Sequence, residues 1–208
     1  MIGFVALLVI LLSVWVSWMI DFYLLGILSF SLVLSIIAPF IDMPSAKQSG
    51  KLRYHSLLFI SEKPSNGVIK IHGGTLFDYV FVIDKNLNGK QRTNLIIQQY
   101  LDGLLNLIQA KDDKTENIKV RGTSYIINKR TAERIGFKVT GTDYIQKLIL
   151  TYNYFNILIT YSIAKGKLSF PKLTDTKTFE TSMNDLVKRK AYISSLNEKL
   201  KSAMANSL

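Results

Sequence analysis

Residues 1–41 read MIGFVALLVILLSVWVSWMIDFYLLGILSFSLVLSIIAPFI, with Asp21 the single formal charge. A hydrocarbon slab about 30 Å thick takes roughly 20 apolar residues per crossing. Met1–Ile20 and Phe22–Ile41 supply two such lengths, one on each side of Asp21. One straight helix over the whole stretch would be about 60 Å long, twice the slab. A secretory signal needs a basic start and a small-residue cleavage site. The opening Met-Ile-Gly-Phe has no Lys or Arg, and nothing like Ala-x-Ala follows. The stretch therefore predicts a two-helix transmembrane hairpin, about 1–20 and 22–41, turning at Asp21. Trp15, Trp18, Phe22 and Tyr23 gather at that turn, as aromatics do at a water–lipid interface. Ser13, Ser17, Ser29, Ser31 and Ser35 offer hydroxyls for packing between helices.

Beyond the hairpin come Lys47, Lys51 and Arg53, whereas the turn has no cation. Positive residues stay inside, so the expectation is an integral protein of the cell (inner) membrane with both termini cytoplasmic. The formal net charge is +11, and Asp21 is the only charge in the first 41 residues, so the remainder carries +12. A basic domain held at a bilayer faces anionic head groups. The densest basic run is only Lys188-Arg189-Lys190, which disfavours nucleic acid and leaves the lipid bilayer, a protein partner or a second copy as the expected partners. The absence of cysteine is compatible with either redox compartment.

Residues 42–53, polar with Pro, Ser and Gly, read as a juxtamembrane linker. From 54 to 173 the pattern is that of an α+β domain. Tyr54–Ile60, Val68–Ile71 and Leu76–Ile83 look like three strands of an antiparallel meander, with Ser65-Asn66-Gly67 and Gly73-Gly74 as turns. Ile97, Leu101, Leu104, Leu105 and Ile108 then fall on one helical stripe. Residues 111–117 (KDDKTEN) read as a charged loop, and 118–127 as another strand. Asn128–Ile135 has the caps of a short helix, and Tyr144–Ile163 reads as one central helix, apolar nearly all round. Residues 174–208 read as a basic amphipathic helix, its stripe running through Phe179, Met183, Leu186 and Ile193. The fold class expected is α+β: the transmembrane hairpin, then one small mixed domain with an antiparallel sheet and three or so helices.

No motif names a reaction. His55 and His72 lie on separate segments with no cysteine beside them, so no metal site is expected. No cofactor is implied. Gly73-Gly74-Thr75 lacks the Lys-Ser/Thr or G-x-x-G extension of a phosphate cradle, and Gly122-Thr123-Ser124-Tyr125 lacks the spacing of a nucleophile elbow. The run Arg130–Phe137 (RTAERIGF) resembles a late segment of the acetyltransferase superfamily. The Arg/Gln-x-x-Gly-x-Gly/Ala turn by which those enzymes hold acyl-CoA is missing. The places for a site are thus His72, Gly73, Gly74 and Asp78 on one segment, and Thr123, Tyr125, Arg130 and Arg134 on the other. Trp15, Trp18, Asp21, Tyr23, Lys47, Lys51 and Arg53 are the expected membrane-interface residues. The leading expectation is a membrane-anchored, non-enzymatic protein whose basic domain binds protein partners or the anionic inner leaflet. The alternatives are a tethered small transferase with a site near 72–78 and 122–134, and an accessory subunit of a transport assembly.

Overall fold

The computed structural model describes residues 2–110 and 118–205, and the chain divides into two compact units, Met1–Gln48 and Ser49–Leu208. The charged segment 111–117 lies outside the described residues. The first unit is a pair of helices, α1 (Ile2–Met19) and α2 (Tyr23–Gln48). Asp21 takes φ 52 in the turn, a left-handed conformation that a short polar side chain tolerates better than an apolar one. Ser17 ties the turn down: its carbonyl accepts from the Phe22 amide at 3.1 Å, and its hydroxyl donates to the Phe22 carbonyl at 2.7 Å. Gly26 lies near Ser17: a Cβ added there would stand 3.4 Å from its Oγ, an ordinary contact. Ser13 bonds back to Val9 of its own helix.

The expected membrane spans are overturned. Among the described residues no helix is long and apolar enough to cross a membrane. The 18 residues of α1 rise about 27 Å, at the lower limit for a hydrocarbon core of roughly 30 Å. The longer α2 runs on to Gln48, into the polar stretch read from sequence as a linker. The transmembrane hairpin and the integral inner-membrane location fall with that finding. Trp15, Trp18 and Tyr23 are exposed beside the Asp21 turn, and Lys47, Lys51 and Arg53 are exposed as well.

The second unit is α+β, but its sheet is mixed. Six strands, β1 (Leu52–Ser56), β2 (Phe59–Glu62), β3 (Val68–Gly73), β4 (Lys119–Ser124), β5 (Lys138–Thr140) and β6 (Lys177–Ser182), lie in the order β1-β2-β3-β4-β6-β5. Every neighbouring pair is antiparallel except β3–β4, which is parallel with Ile69 opposite Val120 and Ile71 opposite Gly122. Asn66 (φ 51) and Gly67 (φ 72) make the tight turn between β2 and β3, as an Asn-Gly pair does when both residues need positive φ. One sheet face carries Phe59, Ile69, Ile71, Val120 and Phe179 into the core. On the other face Lys119 and Arg121 converge on Glu180, at 3.0 and 2.6 Å.

Between the parallel strands stand α3 (Leu76–Val82) and α4 (Gly89–Gln109). The stretch Leu76–Ile83, expected as a strand, is helical because Thr75 and Asp78 form a reciprocal capping box. A short apolar run does not by its period distinguish strand from buried helix, and the cap decides. Asn88 and Gln91 cap α4 in the same way. After β4 come α5 (Lys129–Arg134), capped by Asn128, then α6 (Tyr144–Tyr152), α7 (Tyr154–Lys165), one 3-10 turn at Leu173–Asp175, and α8 (Met183–Ala205). The single central helix expected over 144–163 is two helices. Asn153 ends α6, its side-chain amide donating to the Ile149 carbonyl at 2.9 Å, a local bond that competes with helix continuation. Phe179, read as part of the last helix, lies on β6. The helices α3 to α8 replace the three or so expected.

Helix α4 is the centre of this unit. Ile96, Tyr100, Leu101, Leu104, Leu107 and Ile108 are buried along it. Its contact with α8 is polar at one level: Gln98 and Asn197, 4% and 1% exposed, both donate to Asp102, at 2.8 and 2.6 Å. Toward the sheet α4 comes so close that a Cβ on Gly103 would collide with Cβ and the ring of Phe59. Gly103→Ala must therefore separate helix from strand, and overpacking of this kind typically costs about 1–3 kcal/mol. Chemical denaturation should register that loss for Gly103→Ala, while Gly141→Ala, which meets nothing within 4 Å, stays within about 0.5 kcal/mol of the parent.

Candidate ligand-binding pocket

A cavity of about 60 Å³ opens where the parallel strands β3 and β4 end. Ligands of mixed and parallel sheets collect outside the carboxyl ends of parallel strands, because the chain turns away there and leaves a crevice. Phe59, Ile71 and Phe179 wall it from the sheet, Leu104 from α4, and Ile127, Ala132, Ile135 and Phe137 from α5 and its flanks. Its polar side chains are few: His72 at the end of β3, Tyr100 on α4, and Thr123 and Ser124 at the end of β4. A space with so few polar partners holds water poorly and suits hydrocarbon.

Buried hydroxyls stand behind the cavity in pairs. Tyr79, on α3, shares a 2.9 Å hydrogen bond with Tyr100. The Tyr125 hydroxyl meets Thr160 on α7 at 2.7 Å, and Thr160 donates back to the Asn156 carbonyl at 2.9 Å. The Thr160 proton being committed to its own helix, Tyr125 donates to Thr160. The Tyr100 hydroxyl, held by one bond to Tyr79, keeps hydrogen-bonding capacity toward the cavity. Gly73 makes this possible, since a Cβ there would collide with the Tyr100 hydroxyl.

Ser124 has capacity to spare as well. Its oxygen accepts from the amides of Ile126 and Ile127, each at 3.1 Å, and among the described residues its hydroxyl proton has no acceptor. Thr123 is turned to Thr178, with 3.1 Å between hydroxyls. The pocket thus presents the hydroxyls of Ser124 and Tyr100 within largely apolar walls. Among the described residues no carboxylate lines it.

The residues expected from sequence are only partly brought together. His72, Gly73 and Thr123 line the cavity, but the His72 imidazole pairs with Glu62 at 2.7 Å. Gly74 packs between Asp78 and Leu58 outside it. The Asp78 carboxylate is spent on the α3 cap and on Tyr54, accepting from Thr75 N at 2.6 Å, Thr75 Oγ1 at 2.9 Å and Tyr54 OH at 3.1 Å. Tyr125 stands behind the pocket, paired with Thr160. Arg130 and Arg134 are exposed on α5, on the outer side of the helix that buries Ala132. Sequence reading missed Phe59, Tyr100 and Leu104, which carry no local signal for a site, whereas Ser124 lies inside the segment 122–134 singled out from sequence. Among the described residues no group of three His, Cys, Asp or Glu stands ready for a metal ion.

No family model, curated protein or solved structure matches the chain. The geometry of the site therefore carries the functional argument alone.

Burial raises the pKa of Tyr79, Tyr100 and Tyr125. Partial burial and then the neighbouring Asp78 carboxylate push Tyr54 up to about 12. These hydroxyls are neutral hydrogen-bonding groups, not bases. In each case the folded pKa lies above the ordinary value of 10.0, so the fold favours the protonated phenol. That contribution is whole below pH 10 and is lost as pH rises, through about 12 for Tyr54. Stability measured by denaturant should fall from pH 10 upward, with a shallower slope in Tyr79→Phe than in the parent. An identical slope in the two proteins would mean that the buried hydroxyls do not contribute.

Proposed function

We propose that the second unit is a binding module for a small, largely apolar organic ligand, such as a short acyl chain or a single aromatic ring, bearing one oxygen. The observation that carries this reading is the apolar cavity at the ends of β3 and β4, with Ser124 and Tyr100 the hydroxyl-bearing residues at its wall that have capacity to spare. The ligand's hydrocarbon part fills space that water occupies poorly, and its oxygen accepts from Ser124. A ligand hydroxyl also pairs with the Tyr100 hydroxyl. Binding rather than group transfer is supported by the lining itself, which pairs no nucleophile with a base. Ser124 has no imidazole or carboxylate against it, and the Tyr100 phenol keeps its proton.

Short-chain carboxylic acids, their amides and simple phenols are the probes of choice, read by ligand-observed NMR and by thermal shift. At a ligand concentration of about 100 times Kd the gain is about 2.7 kcal/mol, enough to raise Tm by a few degrees in a domain of this size. Ser124→Ala removes one neutral hydrogen bond, of about 1 kcal/mol, and should weaken binding roughly fivefold. Ala132→Met fills the cavity and should abolish it with the fold intact by circular dichroism. Equal affinity in all three proteins would place the ligand elsewhere and sink the proposal.

A further inference from the structure

Helix α6 is amphipathic the wrong way round for a soluble core. Tyr144, Ile145, Leu148, Ile149 and Tyr152 fall within one arc of about 140° at 3.6 residues per turn, and all five are exposed, Tyr144 by 74% and Ile145 by 69%. None of the residues of α6 is buried. The less exposed side carries Gln146 and Leu150. Next to this arc in the chain, Phe155 and Ile159 of α7 are exposed, and so are Leu168 and Phe170 beyond α7, by 72% and 67%.

Charge decides what such a surface meets. From Tyr144 to Lys172 the chain has four cations, Lys147, Lys165, Lys167 and Lys172, and no carboxylate. Lys147 stands on the flank of the apolar arc, and Lys165 and Lys167 bracket the left-handed Gly166 that ends α7. A protruding helix with aromatics and aliphatics on its outward face, edged by lysines, is the make-up of a helix that lies in the head-group plane of a bilayer. The apolar arc enters the acyl boundary while the lysines stay at the anionic surface.

We infer that the α6–α7 face, with the segment Lys167–Lys172, adsorbs the protein to an anionic lipid surface. Adsorption in this mode needs no spanning helix. Charge complementarity favours lipid over an acidic protein, because four lysines and no carboxylate lie from Tyr144 to Lys172. The Asp143 carboxylate just before them is spent on the α6 cap. The apolar side chains stand outward on a helix with no buried residue instead of lining a groove. The surface is separate from the pocket: none of the residues 144–172 lines the cavity.

The chain has no cysteine, so a cysteine introduced in the full chain is a unique labelling site. Leu148→Cys and Phe170→Cys, each carrying an environment-sensitive fluorophore, are mixed with vesicles of phosphatidylglycerol and phosphatidylcholine and with vesicles of phosphatidylcholine alone. The expected result is a blue shift on the anionic vesicles only, weakened by salt. Adding Lys147→Glu and Lys167→Glu should cut partitioning at least roughly tenfold while circular dichroism stays unchanged. No shift on either vesicle overturns the inference, as does an equal shift on both. A shift that grows with protein concentration in the absence of lipid also overturns it, and assigns the face to a second copy of the chain. A control label at Lys138→Cys, exposed on β5, should stay in water throughout.

Discussion

The close approach of α4 to the sheet, glycine against phenylalanine, is the constraint on which the second unit depends. Gly103 has no Cβ, so the helix backbone settles onto Phe59 of β2. That distance fixes the height of every other α4 side chain above the sheet. One turn earlier, Tyr100 then brings its hydroxyl under Gly73, which also must lack a Cβ. Leu104, one residue on, becomes a wall of the pocket. The opposite side of α4 has its own fixed partner in α8, where Gln98, Asp102 and Asn197 satisfy one another. A buried polar set of this kind costs more to break than it adds when formed, and so it holds the register between the two helices.

The pocket is a by-product of that geometry combined with the topology. The parallel pairing of β3 with β4 brings two chain reversals, Gly73–Thr75 and Ser124–Asn128, to the same end of the sheet. Each reversal spends its polar groups on local caps, Asp78 on Thr75 and the Ser124 oxygen on two amides. What is left over at the crevice is sparse: one serine and one tyrosine hydroxyl. Buried hydroxyl pairs link α3 to α4 through Tyr79 and Tyr100, and β4's trailing loop to α7 through Tyr125 and Thr160, tying the back of the pocket to segments distant in sequence.

Much of the secondary structure was legible because its signals are local. The Asn66-Gly67 turn, the Asn128 cap and the α4 stripe are read from neighbours a few residues apart. Two of the errors share one cause. Leu76–Ile83 and Tyr144–Ile163 are apolar runs whose composition fits more than one element. In the first a capping box overruled strand composition. In the second Asn153 divided a helix that hydropathy alone would continue. Phe179 fits the spacing of the helix that follows it, yet it pairs in the sheet with Gly122 and Val139. The pocket was half legible: His72, Gly73 and Thr123 lie at strand ends marked by glycines, while Phe59, Tyr100 and Leu104 reach it only through long-range packing.

By itself the sequence determined the α+β class of the second unit, the excess of positive charge and the turn at Asp21, because composition, net charge and turn chemistry need no distant partner. The tertiary structure decided that the sheet is mixed, that no described helix is long and apolar enough to cross a membrane, and that the apolar face of α6 looks outward. It also decided which polar groups remain unspent at the end of β3 and β4. Those outcomes depend on which backbones can approach, and at Gly73 and Gly103 the missing side chains set that distance.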